Sequence, residues 1–312
     1  MTVKREIGKT GLLVNPIGLG ANSVGGHNLF SNLSDQTGKE IVKTAIEHGI
    51  NLIDTAYSYG KGRSEELIGE VLKETRSRHE IILATKGAHR YRGDERIIDN
   101  SPEFLKEQVK NSLRRLQTDY IDIYYIHRPD ENTPKYEAIG ALKELKDKGY
   151  IRAIGISNFS LEEIKEANQD GYVDVVQDEY HLLNRSAEKE LLPFLREQHI
   201  AFIPYYPLAA GILAGKYTPD MKFDDLRARL PYFQGEAFTQ NLQKVEKLKK
   251  ISRNHHAEVA QVVLAWYLTR NDIAAIIPGA KRPEQIVSNI RTLEIRLSEE
   301  EINIIDEYFP VE

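Results

Sequence analysis

The chain has 312 residues, a length that suits one α/β barrel with insertions or two average domains. With 41% hydrophobic and 29% charged residues it can bury a large core, which excludes a disordered chain, and a formal net charge of -5 offers nucleic-acid phosphates no basic field. The absence of cysteine excludes disulfides, thiolate catalysis and Cys-ligated zinc.

In chain order, residues 1–6 are short and charged with no apolar run behind them, and no apolar run anywhere approaches the roughly 20 residues of a membrane span. The expectation is a cytoplasmic protein that does not enter a membrane. Residues 4–14 place polar ends around Gly8 and Gly11, which reads as a β-hairpin that plugs the bottom of the main fold. Short apolar runs then alternate with amphipathic stretches, the pattern of βα units feeding a parallel sheet. Strands are predicted over residues 16–19, 51–54, 81–86, 121–127, 151–157, 173–179, 201–205 and 274–278. Eight strands with intervening helices give a (β/α)8 TIM barrel, with residues 1–312 as a single domain.

The helices have readable ends. Ser101 as N-cap and Pro102 open a helix with Leu105, Val109, Leu113 and Leu116 on one face. Ser160 with Glu163 and Ser298 with Glu301 have capping-box spacing, and Gly149 fits a helix stop. Residues 206–235, rich in Pro, Gly, Tyr and Arg, form a long loop after strand seven and are a lid candidate. Gly18-Leu19-Gly20 invites a dinucleotide-fold reading, but Ser23 stands where that fingerprint needs its third glycine. A polar loop also separates the strand from the next helix start at Ser34, so these glycines are read as turning the loop closely over a ligand.

Catalytic groups of such barrels sit at the carboxyl ends of strands. Strand two ends in Asp54 and runs on to Tyr59, strand three ends in Lys86 and strand four in His127. A tyrosine is a weak acid, with a reference pKa of about 10, so a tyrosine proton donor needs a cation to stabilise its phenolate. Lys86 can be that cation, Asp54 its partner, and His127 a hydrogen-bond donor to a substrate oxygen. Singly, the four also read as a cap, a snorkelling lysine, loop packing and a core histidine. Jointly, three neighbouring strands deliver compatible groups to one face.

The motifs Asp54-Thr55-Ala56-Tyr57-Ser58-Tyr59-Gly60, Gly62-Arg63-Ser64-Glu65, Ala84-Thr85-Lys86, residues 122–127 and Gly155-Ile156-Ser157-Asn158-Phe159 resemble the aldo-keto reductase superfamily across essentially the whole chain. The likeness is greatest to bacterial members of inositol-catabolism operons and general stress, and more distant to potassium-channel β-subunits. It implies an NADP(H)-dependent reductase of small-molecule carbonyls acting by hydride transfer, with Asp54, Tyr59, Lys86 and His127 as its catalytic tetrad. It further implies that Ser157, Asn158 and Gln177 hold the nicotinamide carboxamide. Tyr205, or less readily Tyr206, stacks on the ring. Gly20, Ala21, Asn22, Asp54, Pro207, Leu208, Gly211, Lys216 and Gly279 also line the cofactor by this resemblance. Residues 277–282, with Gln285 and Asn289, resemble the adenosine-phosphate site, where Lys281 and Arg282 would favour NADPH over NADH. Gln285 stands where better-known mammalian members often carry Arg, which bears on phosphate affinity.

Two other function classes compete. One is an NADPH-binding redox sensor, against which the intact tetrad argues. The other is a metal-dependent hydrolase using Asp54, His127 and Asp130, a thin ligand set, so no metal is expected. No obligate protein partner is evident. His27, His89 and His181 follow strand ends and could approach the mouth with Tyr57, Asn22 and Phe30; His89 and Asn22 are candidates for fixing a polar substrate such as a sugar or polyol aldehyde.

Overall fold

A computed structural model describes residues 3–93, 95–224 and 226–311. Strands β1 (Arg5–Glu6) and β2 (Leu13–Val14) pair antiparallel, with Arg5 opposite Val14. Ile7, Leu12 and Val14 join an apolar cluster with Leu52, Ala84, Ile123 and Ala153, so this hairpin closes the bottom of the barrel as expected.

Strands β3 (Leu19–Gly20), β4 (Leu52–Asp54) and β5 (Ile82–Gly87) follow, then a second hairpin, β6 (His89–Arg92) and β7 (Glu95–Ile98). Strands β8 (Ile121–Ile126), β9 (Ile151–Ser157), β10 (Val175–Gln177) and β11 (Ala201–Phe202) complete the set. Seven of these lie side by side in the order β11-β10-β9-β8-β5-β4-β3, all parallel. The eighth stave, predicted over residues 274–278, closes the ring through isolated bridges and not a continuous ladder. Ala274 N–H donates to Phe202 O at 2.9 Å on one side, and Gly18 N–H to Ile276 O at 2.8 Å on the other. Prolines explain the shortened staves, because Pro278, Pro204 and Pro16 carry no N–H for a ladder.

Helices α1 (Asp35–Glu47), α2 (Arg63–Thr75), α3 (Pro102–Leu116), α4 (Lys135–Asp147), α5 (Leu161–Ala167) and α6 (Leu191–Glu197) alternate with the strands. After them come α7 (Gly235–Asn254), α8 (Val259–Leu268), α9 (Pro283–Arg291) and α10 (Glu299–Tyr308). The outward faces of the strands pack on the helices through Ile53, Leu67, Leu83, Leu105, Tyr124, Leu142 and Ile154. Both predicted capping boxes form, at Ser160 with Glu163 and Ser298 with Glu301. Ser101 is the N-cap of α3, but its hydroxyl bonds Asp99 Oδ1 at 2.7 Å and not the helix.

The β6–β7 hairpin was not among the predicted elements, since its residues show no apolar alternation; the Gly93-Asp94 pair in the sequence was the available turn signal. The long stretch after β11 is irregular, with three short helical turns, Ala209–Ala214, Leu226–Arg229 and Pro231–Phe233, ahead of α7. Asp225 within it lies outside the described residues. Among the described residues no helix is long and apolar enough to cross a membrane.

Candidate active site

Side chains two residues apart on a strand share a face. Leu52, Ala84, Tyr125 and Val175 belong to the barrel interior, so Asp54, Lys86, His127 and Gln177, each two residues further on, turn inward at the same end. At the centre, Lys86 (1% exposed) donates to Asp54 Oδ1 (2% exposed) and to Thr55 O at 2.8 Å. Gln177 Nε2 donates to Asp54 Oδ2 at 3.0 Å. Burial draws the Lys86 pKa below its ordinary value, and the Asp54 carboxylate opposes that pull.

Tyr59 is delivered by the turn after β4, where Tyr57 N–H donates to Lys86 O and Tyr59 N–H to Ala56 O, both at 3.1 Å. Gly60 ends this turn at φ +68°, and a Cβ there would stand 2.0 Å from Gly25 O, so only glycine fits. Lys86 Nζ lies 5.4 Å from the centre of the Tyr59 ring and 5.6 Å from that of Tyr125. The Tyr59 phenol is nevertheless held well above its ordinary pKa, by burial first and by the Asp54 carboxylate second. The Asp54 carboxylate beside the ammonium thus opposes the acidifying effect expected of Lys86. Tyr59 therefore keeps its proton far above neutral pH.

The His127 ring stands edge-on to Tyr59, with centroids 6.3 Å apart at 85°. Burial, reinforced by the Lys86 charge, pushes its pKa well below the ordinary value, so the imidazole is neutral and has one N–H to donate. Ser58, which sequence reasoning passed over, brings its Oγ to 3.5 Å from His127 Nδ1. Its place between Tyr57 and Tyr59 in the turn was the available signal. A depressed His127 pKa predicts a turnover profile with no histidine step between about pH 5 and about pH 8. A step near neutrality in the native protein that vanishes in His127→Gln would contradict it.

At the neighbouring strand ends, Asn158 Nδ2 donates to His127 O at 3.0 Å and Ser157 Oγ at 2.9 Å, while its Oδ1 accepts from Tyr205 OH at 2.9 Å. Asn158 and Gln177, read as carboxamide ligands, are thus already engaged by the chain, because polar groups at adjacent buried strand ends satisfy one another. The Ser157 hydroxyl keeps its proton to donate. The Tyr205 and Tyr206 rings meet edge to face at 5.2 Å. The backbone turns left-handed at Tyr206, Ala209, Ala210 and Gly211, and Pro207 O accepts from Tyr267 OH of α8 at 3.0 Å. Lys216 is exposed, 3.6 Å from Glu258.

Across the mouth, Ala21 N–H donates to Asp54 O at 2.8 Å. A Cβ at Gly20 would lie 2.5 Å from Ile277 O, so these two backbones meet directly, and one at Gly279 would lie 3.1 Å from the Asn22 side-chain Oδ1. Arg282 is the N-cap of α9 and makes no capping bond through its side chain. Gln285 Oε1 accepts the Lys281 N–H at 2.8 Å, which spends it on closing the helix turn. Lys281 Nζ lies 4.3 Å over the ring of Phe30. Asn289 is buried on α9.

Of the three loop histidines only His89 reaches the centre, its ring 4.7 Å from that of His127 at 89°. His27 is exposed and bonded to Asp35 at 2.7 Å, while His181 is buried against Glu179 at 2.9 Å. Asp130, weighed as a metal ligand, instead accepts from Asn100 N–H at 2.7 Å and from Thr133 N–H at 2.7 Å. Among the described residues no group of three His, Cys, Asp or Glu is arranged to hold a metal ion.

The model of the Aldo/keto reductase family matches residues 16–309. The chain is 37% identical over 284 residues to the aldo-keto reductase YhdN of Bacillus subtilis, covering 90% of this chain and 86% of that protein. It is 35% identical over 318 residues to an NADH-specific methylglyoxal reductase of Escherichia coli, covering 97% of each. Its fold matches a glycerol dehydrogenase of Gluconobacter oxydans with a TM-score of 0.90 at 30% identity, over 98% of this chain and 95% of the other. The match extends from the first barrel strand through the last helix, so the chain belongs to the aldo/keto reductase family, oxidoreductases that act on small-molecule carbonyls with a nicotinamide cofactor.

Proposed function

We propose that this chain reduces aldehyde or ketone carbonyls to alcohols with NADPH, and that Tyr59 is the proton donor. The observation that carries this reading is the buried Lys86–Asp54 pair packed beside the Tyr59 ring in the pocket that His127 also borders. His127, neutral, donates its N–H to the substrate oxygen and sets it against the Tyr59 hydroxyl. Tyr59 passes its proton to that oxygen as the carbon is reduced, and the phenolate left behind is stabilised by the Lys86 ammonium. Because Tyr59 holds its proton well above neutral pH, it has a proton to donate at neutrality.

A dinucleotide would lie with its anionic end at the α9 N-terminus, where the exposed Lys281 and Arg282 suit an anion. Bound there, a reduced nicotinamide supplies the two electrons and the hydrogen that the carbonyl carbon needs. Ser157, Asn158 and Gln177 would hold its amide end, with Tyr205 against the ring. Ala21, Asn22 and Gly279 would lie on one side of it, and Pro207, Leu208, Gly211 and Lys216 on the other. Lys281, Arg282, Gln285 and Asn289 would meet the adenosine-phosphate end.

The Escherichia coli relative is named as NADH-specific, so the preference for NADPH rests on Lys281 and Arg282 of this chain. Replacing both by Ala should weaken NADPH binding on the order of 10-fold to 100-fold, the worth of one or two charge-assisted hydrogen bonds, and NADH binding hardly at all. Fluorescence titration with the two cofactors measures this, and equal weakening of both would reject the phosphate role. The reductase reading itself is tested by NADPH oxidation with a simple aldehyde in the presence of a chelator. Steady turnover is expected, and none would overturn the reading.

A further inference from the structure

Tyr267, on α8, is fully buried, and its hydroxyl lies 3.0 Å from Tyr180 O and 3.0 Å from Pro207 O. Its ring stands edge-on to Tyr180 at 5.9 Å and to Trp266 at 5.0 Å, contacts that a phenylalanine would keep. The hydroxyl is what a phenylalanine would lack, and burial holds its pKa well above the ordinary value, so it keeps the proton it donates. The two carbonyls it joins lie beyond different staves. Tyr180 follows β10, which ends in Gln177, and Pro207 follows Tyr205 and Tyr206 beyond β11. Between Tyr205 and Pro207 the backbone is strained, with Tyr206 at φ +55°, a conformation uncommon for a residue with a Cβ. Such a bend persists only where its surroundings hold it. On one side Tyr205 N–H donates to Asp178 O at 3.0 Å; on the other Ala209 N–H donates to Tyr206 O at 2.7 Å, and Tyr267 holds Pro207 O.

We propose that Tyr267 is a positioning residue: by tying Pro207 to Tyr180 it fixes the left-handed bend at Tyr206 and, through that bend, the face that Tyr205 presents to a nicotinamide ring. The inference rests on the reading of Tyr205 as the partner of that ring. Tyr267 acts through the backbone and not on the ligand. The Tyr205 ring has one further tether, its hydroxyl donating to Asn158 Oδ1 at 2.9 Å. A ring pinned at its hydroxyl alone can still tilt when the backbone beneath it relaxes. Loss of the Tyr267 hydroxyl takes a donor from two carbonyls in a buried setting, and displacement of residues 205–207 toward another donor is the way to satisfy them. Lys281 and Arg282, which would meet the adenosine-phosphate end, sit on a separate loop after the eighth stave, so the nicotinamide half of the cofactor is the half that feels the change.

The test titrates native protein, Y267F, Y205A and the double variant by calorimetry with NADPH and with adenosine 2′,5′-bisphosphate, which carries the phosphate end of the cofactor and no nicotinamide. Y267F should bind NADPH on the order of 10-fold more weakly and the bisphosphate within about twofold of the native protein. In the Y205A background, where the ring is already gone, Y267F should weaken NADPH by no more than about twofold, because a residue that acts through another has nothing left to position. Y267M takes the place of Y267F if the phenylalanine protein does not fold. Unchanged NADPH binding, equal weakening of both ligands, or the full loss repeated in the Y205A background would each assign Tyr267 a general structural role and overturn the proposal, with the reductase reading intact. Native protein that binds no NADPH would overturn both.

Discussion

Replacing Lys86 by Met should abolish turnover and destabilise the protein by about 3 to 5 kcal/mol, the usual consequence of removing one partner of a buried ion pair. Methionine matches much of the length of the lysine but carries no charge. Asp54 would remain buried with Gln177 Nε2, at 3.0 Å, as its remaining side-chain donor. The reaction would suffer for a separate reason, since the phenolate that forms when Tyr59 gives up its proton would face the Asp54 carboxylate with no intervening cation. Adding Asp54→Leu separates the two effects. A buried pair replaced by apolar groups is often neutral or stabilising, so the double variant should recover most of the lost stability and none of the turnover. Urea unfolding and an aldehyde assay on the three proteins measure this. A Lys86→Met protein as stable and as active as the native one would remove the pair from any role in the site.

Tyr59→Phe should lower kcat for carbonyl reduction by a factor on the order of 10² to 10⁴, the range for loss of a positioned general acid. The ring stays, so its packing against His127 and beside Lys86 is preserved, and only the hydroxyl is lost. Cofactor affinity should therefore change by no more than about twofold, and the fall should appear in kcat and kcat/KM together, as expected when an interaction made in the transition state is removed. The contrast with Lys86→Met is informative, since one variant harms chemistry alone and the other harms chemistry and stability. Retained kcat with a raised KM would instead assign Tyr59 to substrate binding.

The parts of the site that were legible in the sequence are those set by strand periodicity. Asp54, Lys86 and His127 close apolar runs, and the two-residue alternation that buries Leu52, Ala84 and Tyr125 carries them inward. Tyr59 was legible through the turn that follows Asp54. What depended on the third dimension was not. The eighth stave read as an ordinary strand, although Pro278 breaks its ladder, and the β6–β7 hairpin gave no apolar pattern to detect. Three histidines followed strand ends, and nothing in the sequence separated His89, folded against His127 by the strained Ala88, from His27 and His181, which turn to nearby carboxylates. Gln177 and Gln285 showed suitable polarity for a cofactor but not their engagement with Asp54 and the Lys281 backbone. The net influence of Lys86 on Tyr59 was likewise hidden, because it depends on how closely Asp54 holds the ammonium.

Transfer of the Tyr59 proton is tested most directly in a single turnover, by rapidly mixing NADPH-loaded protein with excess aldehyde and following the loss of nicotinamide absorbance. Product release does not enter such a trace. Native protein should oxidise its bound cofactor in one phase, and Tyr59→Phe, loaded to the same extent, should do so more slowly by a factor on the order of 10² or more. Superimposable traces from the two proteins would contradict the assignment of Tyr59 as the proton donor.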